Sequence, residues 1–237
     1  MSLVSLDPVQ PENFNWASID PRFIEWEVFT RRIYDEYHAV EEGDVVVDIG
    51  ASCGPFSYTA AARGAKKIYL VEPSKELLKT AMTNLSDFMI NDGTSCTFIN
   101  HAVSSQNRET IDTKNSHVYG SNLTHSSIKF SKLIHKYDIK HIDYLKIDCE
   151  GGEYDIFTDE NIHFLANNVD FIAAEIHTRN IDDGEKKFLN FRDNYLKYFK
   201  QVNIITGDGE NWESQLFNDD AILNILRRTE LMFYIKK

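Results

Sequence analysis

The chain has 237 residues, 42% of them hydrophobic and 26% charged, which places it among globular proteins and gives it enough length for one domain with a full core. A formal net charge of -12 argues against a phosphate-rich partner, because proteins that release counterions from nucleic acid carry a basic face, and the Lys/Arg pairs here are scattered. The three cysteines, Cys53, Cys96 and Cys149, are an odd number without a Cys-x-x-Cys pair, which fits reduced thiols in a cytoplasm; no apolar run nears the ~20 residues of a membrane span, and no signal-peptide pattern opens the chain.

Residues 1–40 read as an N-terminal extension with one packing helix. Pro21 opens it, and Phe23, Ile24, Trp26, Phe29, Ile33 and Tyr37 follow at near-helical spacing. From residue 41 to 237 a single domain is expected, with strands and helices alternating. Strands are predicted at VVVD (45–48), KIYLVE (67–72), CTFINHAV (96–103), IDYLKID (142–148), VDFIAAEIH (169–177), QVNIIT (201–206) and in ELMFYIK (230–236). Helices are predicted over 75–89, about 127–137, 152–166 and 185–199, with a further helical run at AILNILRR. Such alternation builds a doubly wound α/β sheet, mostly parallel, and the last strand is expected to run antiparallel at one edge. Three loops, 104–126, 178–184 and 207–218, leave carboxyl ends of strands, where open α/β sheets bind ligands.

The first such end reads DIGASCG. Gly50 and Gly54 flank Ala51, Ser52 and Cys53 in a turn that lacks the G-x-G-x-x-G spacing used to hold a dinucleotide pyrophosphate. The acid before it, Asp48, favours a ligand with an ammonium or sulfonium group over one with phosphates, and S-adenosylmethionine is such a ligand. Glu72, at the end of the second strand, is placed to accept hydrogen bonds from the hydroxyls of a ribose.

The segment IDYLKIDCEGGEYDIF, with GDVVVDIGASCGPFS and LVEPS, resembles the FkbM-type family of S-adenosylmethionine-dependent methyltransferases over about residues 41–177. The resemblance implies a Rossmann-like methyltransferase fold with Asp48, Gly50 and Gly54 at the methionine end of the cofactor, Glu72 on the ribose and Ala102 by the adenine. It also implies methyl transfer to a hydroxyl of a sugar or other small molecule. Ser52-Cys53 and Gly152 depart from the expected pattern and affect fine contacts.

Alternation puts Lys146, Asp148 and Glu150 on one face of their strand. A covered Lys146 requires a partner, and Asp48 or Glu175 can supply it. Asp148 lies beside the expected methyl donor. Glu150 and His177 are the candidate bases for the hydroxyl proton, His177 because an unperturbed imidazole titrates nearest neutrality. Glu153 reads as an acid at a helix N-terminus. Asp148, Glu150, Glu175 and His177 could gather a divalent cation, but a metal-free site is the expectation adopted. Tyr119, Gly120, Ser121 and Asn122, with Trp212 and Phe217, are expected to wall the acceptor pocket or simply to pack their loops. Two other functions remain open to the sequence: a non-catalytic S-adenosylmethionine-binding module and a nucleotide-dependent oxidoreductase on a similar sheet.

Overall fold

The structure is a computed structural model that describes residue 11 and residues 13–113, 123–179 and 181–237. The N-terminal segment departs from a single helix. Asp20 caps α1 (Pro21–Glu25), which widens at once into a π-helical turn over Trp26–Arg31; Arg32, at φ 57°, ends it. The wider turn shifts the helical register. Glu27, Val28 and Phe29 go inward in succession, while Phe23 and Trp26, expected in the core, stand 67% and 42% exposed.

The main domain then alternates as expected. Its elements begin with β1 (Val45–Ile49), α2 (Pro55–Ala62), β2 (Lys67–Val71), α3 (Lys75–Asn84) and β3 (Ser95–Ile99). The predicted strand 96–103 is broken after Ile99, where the Asn100 amide donates to the carbonyls of Glu72 and Pro73. Its second part becomes β4 (Ala102–Val103) and leaves the main sheet. With β5 (Arg108–Thr113) and β6 (Leu123–Ile128) it forms a three-stranded sheet in the order β4-β6-β5, so the predicted loop 104–126 contains two strands. The following helix, α4 (Phe130–Lys136), starts three residues later than predicted.

Next come β7 (Ile142–Ile147), α5 (Ile162–Asn168), β8 (Val169–Ile176), α6 (Gly184–Asn194), β9 (Gln201–Thr206), α7 (Asp219–Leu226) and β10 (Leu231–Lys236). The helix predicted over 152–166 is instead a short 3-10 turn, Glu153–Asp155, followed by α5. The seven main strands lie in the order β3-β2-β1-β7-β8-β10-β9. All neighbours up to β8 run parallel, and β10 is antiparallel to both β8 and β9. The C-terminal strand is therefore antiparallel at that end of the sheet, as expected, but sits one place in, with β9 outermost.

Alternation along the strands sorts the core into two layers. Val47, Ile49, Leu145, Ile147 and Ala174 face the layer of α4 to α6, and Val46, Ile68, Leu70, Tyr144 and Ala173 face α2 and the N-terminal segment. Full burial of each large aliphatic stabilises by about 1.5–3 kcal/mol, so both faces need their cover. The N-terminal segment is tied on by polar contacts too. Tyr144 Oη donates to Tyr34 O, Tyr234 Oη donates to Ile33 O at 2.6 Å, and Arg63 forks onto Asp35 at 2.5 and 2.6 Å.

The three cysteines are free, and burial pushes the Cys53 and Cys96 thiols up to about 11. Among the described residues no helix is long and apolar enough to cross a membrane.

Candidate active site at the carboxyl ends of four adjacent strands

The strands β2, β1, β7 and β8 are neighbours, and their carboxyl ends present Glu72, the glycine turn, Asp148 and His177 in that order. Gly50 and Gly54 have φ of +80° and +85°, and Ser52 between them is also left-handed at 52°. Left-handed backbone at a non-glycine residue stores strain, which concentrates at functional sites. Gly50 N and Ala51 N both donate to Val71 O, at 2.9 and 3.1 Å, which locks the turn to the end of β2. Glu72, 2% exposed, tightens the same junction: its carboxylate accepts from Ser52 N at 2.9 Å and from Ser74 N at 2.6 Å. Ala102, half-buried on β4, pairs in register with Ser127.

Asp48 corrects the sequence reading. It is 0% exposed and lies beneath the turn; one carboxylate oxygen accepts from Ser57 Oγ at 2.7 Å and the other faces Lys146 Nζ at 3.4 Å. Its charge is balanced inside the sheet, so it supports the turn and does not form an acidic lip.

Lys146 is the register partner of Asp48 on β1 and of Ala173 on β8, whose small side chain leaves room for the lysine. Nζ donates to Gly50 O at 2.7 Å and stands 3.4 Å from both Asp48 and Asp148. Of the two partners foreseen, Asp48 is realised, and Asp148 takes the place of Glu175. Burial pulls the Lys146 ammonium down, but the charges of Asp148 and Asp48 outweigh it and hold it above its ordinary range. Asp148 is likewise kept low, since Lys146, His177 and the Tyr34 hydroxyl together overcome the cost of burial.

His177, 9% exposed, ends β8. Its Nδ1 is 2.9 Å from Glu153 Oε1, and its Nε2 is 4.0 Å from Asp148 Oδ1 and 3.9 Å from Glu150 Oε2. Burial lowers its basicity, yet Glu153, Glu175 and Asp148 prevail and hold it well above the usual histidine range. The ordinary histidine pKa, the ground for choosing it as a base, does not apply here. Glu150, 37% exposed on its side chain and left-handed at φ 57°, lies at the mouth of this cluster.

Three contributors were not legible in the sequence. Glu153 is wholly buried and accepts from Cys149 N at 3.0 Å as well as holding His177, so it orients the site and does not cap a helix. Tyr34 reaches across from the N-terminal segment, its hydroxyl donating to Asp148 Oδ2 at 3.0 Å. Glu27, from the π-helical turn, joins the acids; burial and then the Asp148 charge push its carboxyl up to about 7. A charged residue inside the apolar run WEVF was the one local hint of an inward-facing Glu27. Tyr119, Gly120, Ser121 and Asn122 fall outside the described residues. Trp212 packs against the core, and the exposed Phe217 lies 5.6 Å from the Arg192 guanidinium.

This sheet order, with a glycine turn after the first strand and acids at the next ends, defines a Rossmann-like methyltransferase fold. The chain belongs to the FkbM methyltransferase family, whose model, the methyltransferase FkbM domain, matches residues 44–203. The methyl donor implied by that family is S-adenosylmethionine. Among solved structures, the chain is similar to methyltransferase FkbM from Methylobacillus flagellatus KT, at 14% identity and a TM-score of 0.55, covering 88% of this chain and 47% of that one. It thus spans about half of that relative's length. It is also similar to a candidate rRNA methylase from Clostridium thermocellum, at 12% identity and a TM-score of 0.51, over 93% and 100% of the two chains. At these identities the likeness concerns the fold alone. Among curated proteins none matches the sequence.

Proposed function

We propose that the protein is a cytoplasmic O-methyltransferase that transfers a methyl group from S-adenosylmethionine to a hydroxyl of a sugar or other small molecule. The observation that carries this reading is the convergence of Asp148, Glu150 and His177 beside the glycine turn, at the carboxyl ends of adjacent parallel strands. The residues present suit the cofactor. The turn offers close backbone approach at Gly50 and Gly54, Ser52 Oγ is buried there with no hydrogen-bond partner, and the surrounding side chains are acidic, which favours a cationic ligand over a pyrophosphate. Gly50, Ala51, Ser52 and Gly54 would hold the methionine end, Glu72 the ribose and Ala102 the adenine, with Asp48 supporting them from below. A net charge of -12 supports a small acceptor and not a nucleic acid.

When bound, S-adenosylmethionine supplies a methyl carbon already activated by its sulfonium. The remaining tasks of the chain are in-line alignment of the acceptor oxygen and removal of its proton. Asp148 and His177 orient the hydroxyl, and Glu150 takes the proton, because its carboxylate lies at the open side of the cluster.

Calorimetric titration in the presence of EDTA tests the cofactor. S-adenosylmethionine and S-adenosylhomocysteine are expected to bind saturably and NAD not at all. Glu72→Ala is expected to weaken binding about 10-fold or more, since hydrogen bonds to a charged acceptor contribute about 1.5–3 kcal/mol. If the wild-type chain binds neither sulfur compound, the reading fails. With an acceptor in hand, Glu150→Gln is expected to lower turnover by about 10²–10⁴, the usual contribution of a positioned base, with cofactor affinity intact. Undiminished turnover would move the base elsewhere.

A further inference from the structure

The groups around His177 are arranged as if something sits between them. Its Nε2 and the nearest oxygens of Asp148 and Glu150 are 4.0 and 3.9 Å apart, too far for hydrogen bonds. One ligand atom from each of Asp148, Glu175 and His177 lies within 4.8 Å of the others. Neighbouring ligands of a cation held at ~2.1 Å are about 3.0–3.6 Å apart and opposite ones about 4.2 Å, so the three atoms stand slightly wider than a closed coordination sphere and small side-chain rotations would close them on an ion.

The outer contacts of these residues match the same purpose. A metal-binding histidine characteristically donates its second ring N–H to a carboxylate, and His177 Nδ1 is held by Glu153 at 2.9 Å, which directs Nε2, without a hydrogen bond of its own, into the cluster. Asp148 is held in the same way. Its Oδ2 is engaged by Tyr34 at 3.0 Å and Lys146 at 3.4 Å, and its Oδ1 faces His177. The side chain of Glu175, the third member, makes no hydrogen bond or ion pair with any described residue. Five carboxyl groups, Glu27, Asp148, Glu150, Glu153 and Glu175, gather here with only Lys146 and His177 as basic partners, a set of hard oxygen donors suited to a divalent cation.

We propose that Asp148, Glu175 and His177 hold a divalent cation on which the acceptor hydroxyl is bound. Two carboxylates and one imidazole suit a manganese- or magnesium-class ion with positions left for water and the acceptor oxygen. The cation occupies the place between His177 and the carboxylates, so the acceptor oxygen meets the ion in place of His177, and the ion makes that hydroxyl more acidic. Glu150 takes the proton, the hydroxyl oxygen forms its bond to the methyl carbon, and the carbon–sulfur bond breaks with its electron pair going to sulfur. What the cation does rests on the methyl-transfer reading; that it binds does not.

A second cluster provides the control. His141 Nε2 lies 3.2 Å from Asp143 and 3.1 Å from Asp170, which Lys237 also engages at 2.7 Å, so its members already satisfy one another. Mn2+ is titrated into the full, EDTA-stripped chain and the free ion followed by electron paramagnetic resonance. One ion per chain is expected, with affinity reduced at least about 10-fold in Glu175→Gln, whose fold is checked by circular dichroism, and unchanged in Asp170→Asn. Pulsed resonance of the bound ion is expected to show a 14N coupling that disappears in His177→Asn. The proposal is overturned if wild-type protein takes up no Mn2+, if Asp170→Asn and not Glu175→Gln abolishes uptake, or if the bound ion shows no nitrogen coupling. Absence of Mn2+ uptake with intact S-adenosylmethionine binding would remove the cation site and leave the methyltransferase reading in place.

Discussion

Gly50→Ala is expected to cost at least about 4 kcal/mol of stability and to abolish binding of S-adenosylmethionine, a loss reserved for severe steric or strained-backbone changes. A Cβ at this position would stand 1.6 Å from the Asp148 carbonyl oxygen, and the φ of +80° is one that alanine resists. Neither neighbour can give way. Asp148 N donates to Ile49 O at 3.0 Å, which pins the end of β7 against β1, and Gly50 N is held by Val71 O on the other side. Gly43 provides the contrast, because it also has positive φ, +93°, but a Cβ there would meet nothing within 4 Å. Gly43→Ala therefore loses only the conformational allowance of glycine, about 1 kcal/mol. Urea unfolding of both variants makes the comparison. Equal losses would mean that the turn and β7 are not apposed as closely as they are here.

Lys146→Met has the next largest expected effect, about 3–5 kcal/mol, the cost of leaving a buried charge without its partner. Methionine fills most of the volume, so the loss is electrostatic: Asp48 at 0% exposure would keep only the Ser57 hydroxyl, and the Gly50 carbonyl would lose its donor. Adding Asp48→Asn removes the stranded charge and is expected to recover part of the loss. Additive losses in this cycle would show that Asp48 and Lys146 do not interact energetically, and the ion pair would lose its place in the account of the turn.

The parts of the site legible in the sequence are those that depend on local pattern. The run VVVD followed by a glycine turn, the acid ending KIYLVE and the alternation in YLKIDCE each place a residue at a strand end by a period of two, whatever the rest of the chain does. Asp148 and His177 were placed in this way, and the structure brings them together. Reading Asp48 as an acid that faces a cationic ligand failed because alternation tells which face a side chain takes, not how deeply it is covered. The same limit applies to Glu153, where the pattern after two glycines reads as a helix start but the carboxylate turns inward to His177.

By itself, then, the sequence determined the class of fold, the glycine turn, the acids at the strand ends and the membership of a methyltransferase family, because these are encoded in short windows of periodicity and spacing. Only the tertiary structure decided that Tyr34, 114 residues before Asp148, completes that carboxylate's hydrogen bonding, that Glu27 joins the acids, that β4, β5 and β6 build a second sheet, and that β10 inserts between β8 and β9. Each of these joins segments far apart in the chain. Such pairings are selected by the burial of apolar faces and the balance of buried charge in the folded chain, and no local window carries either quantity.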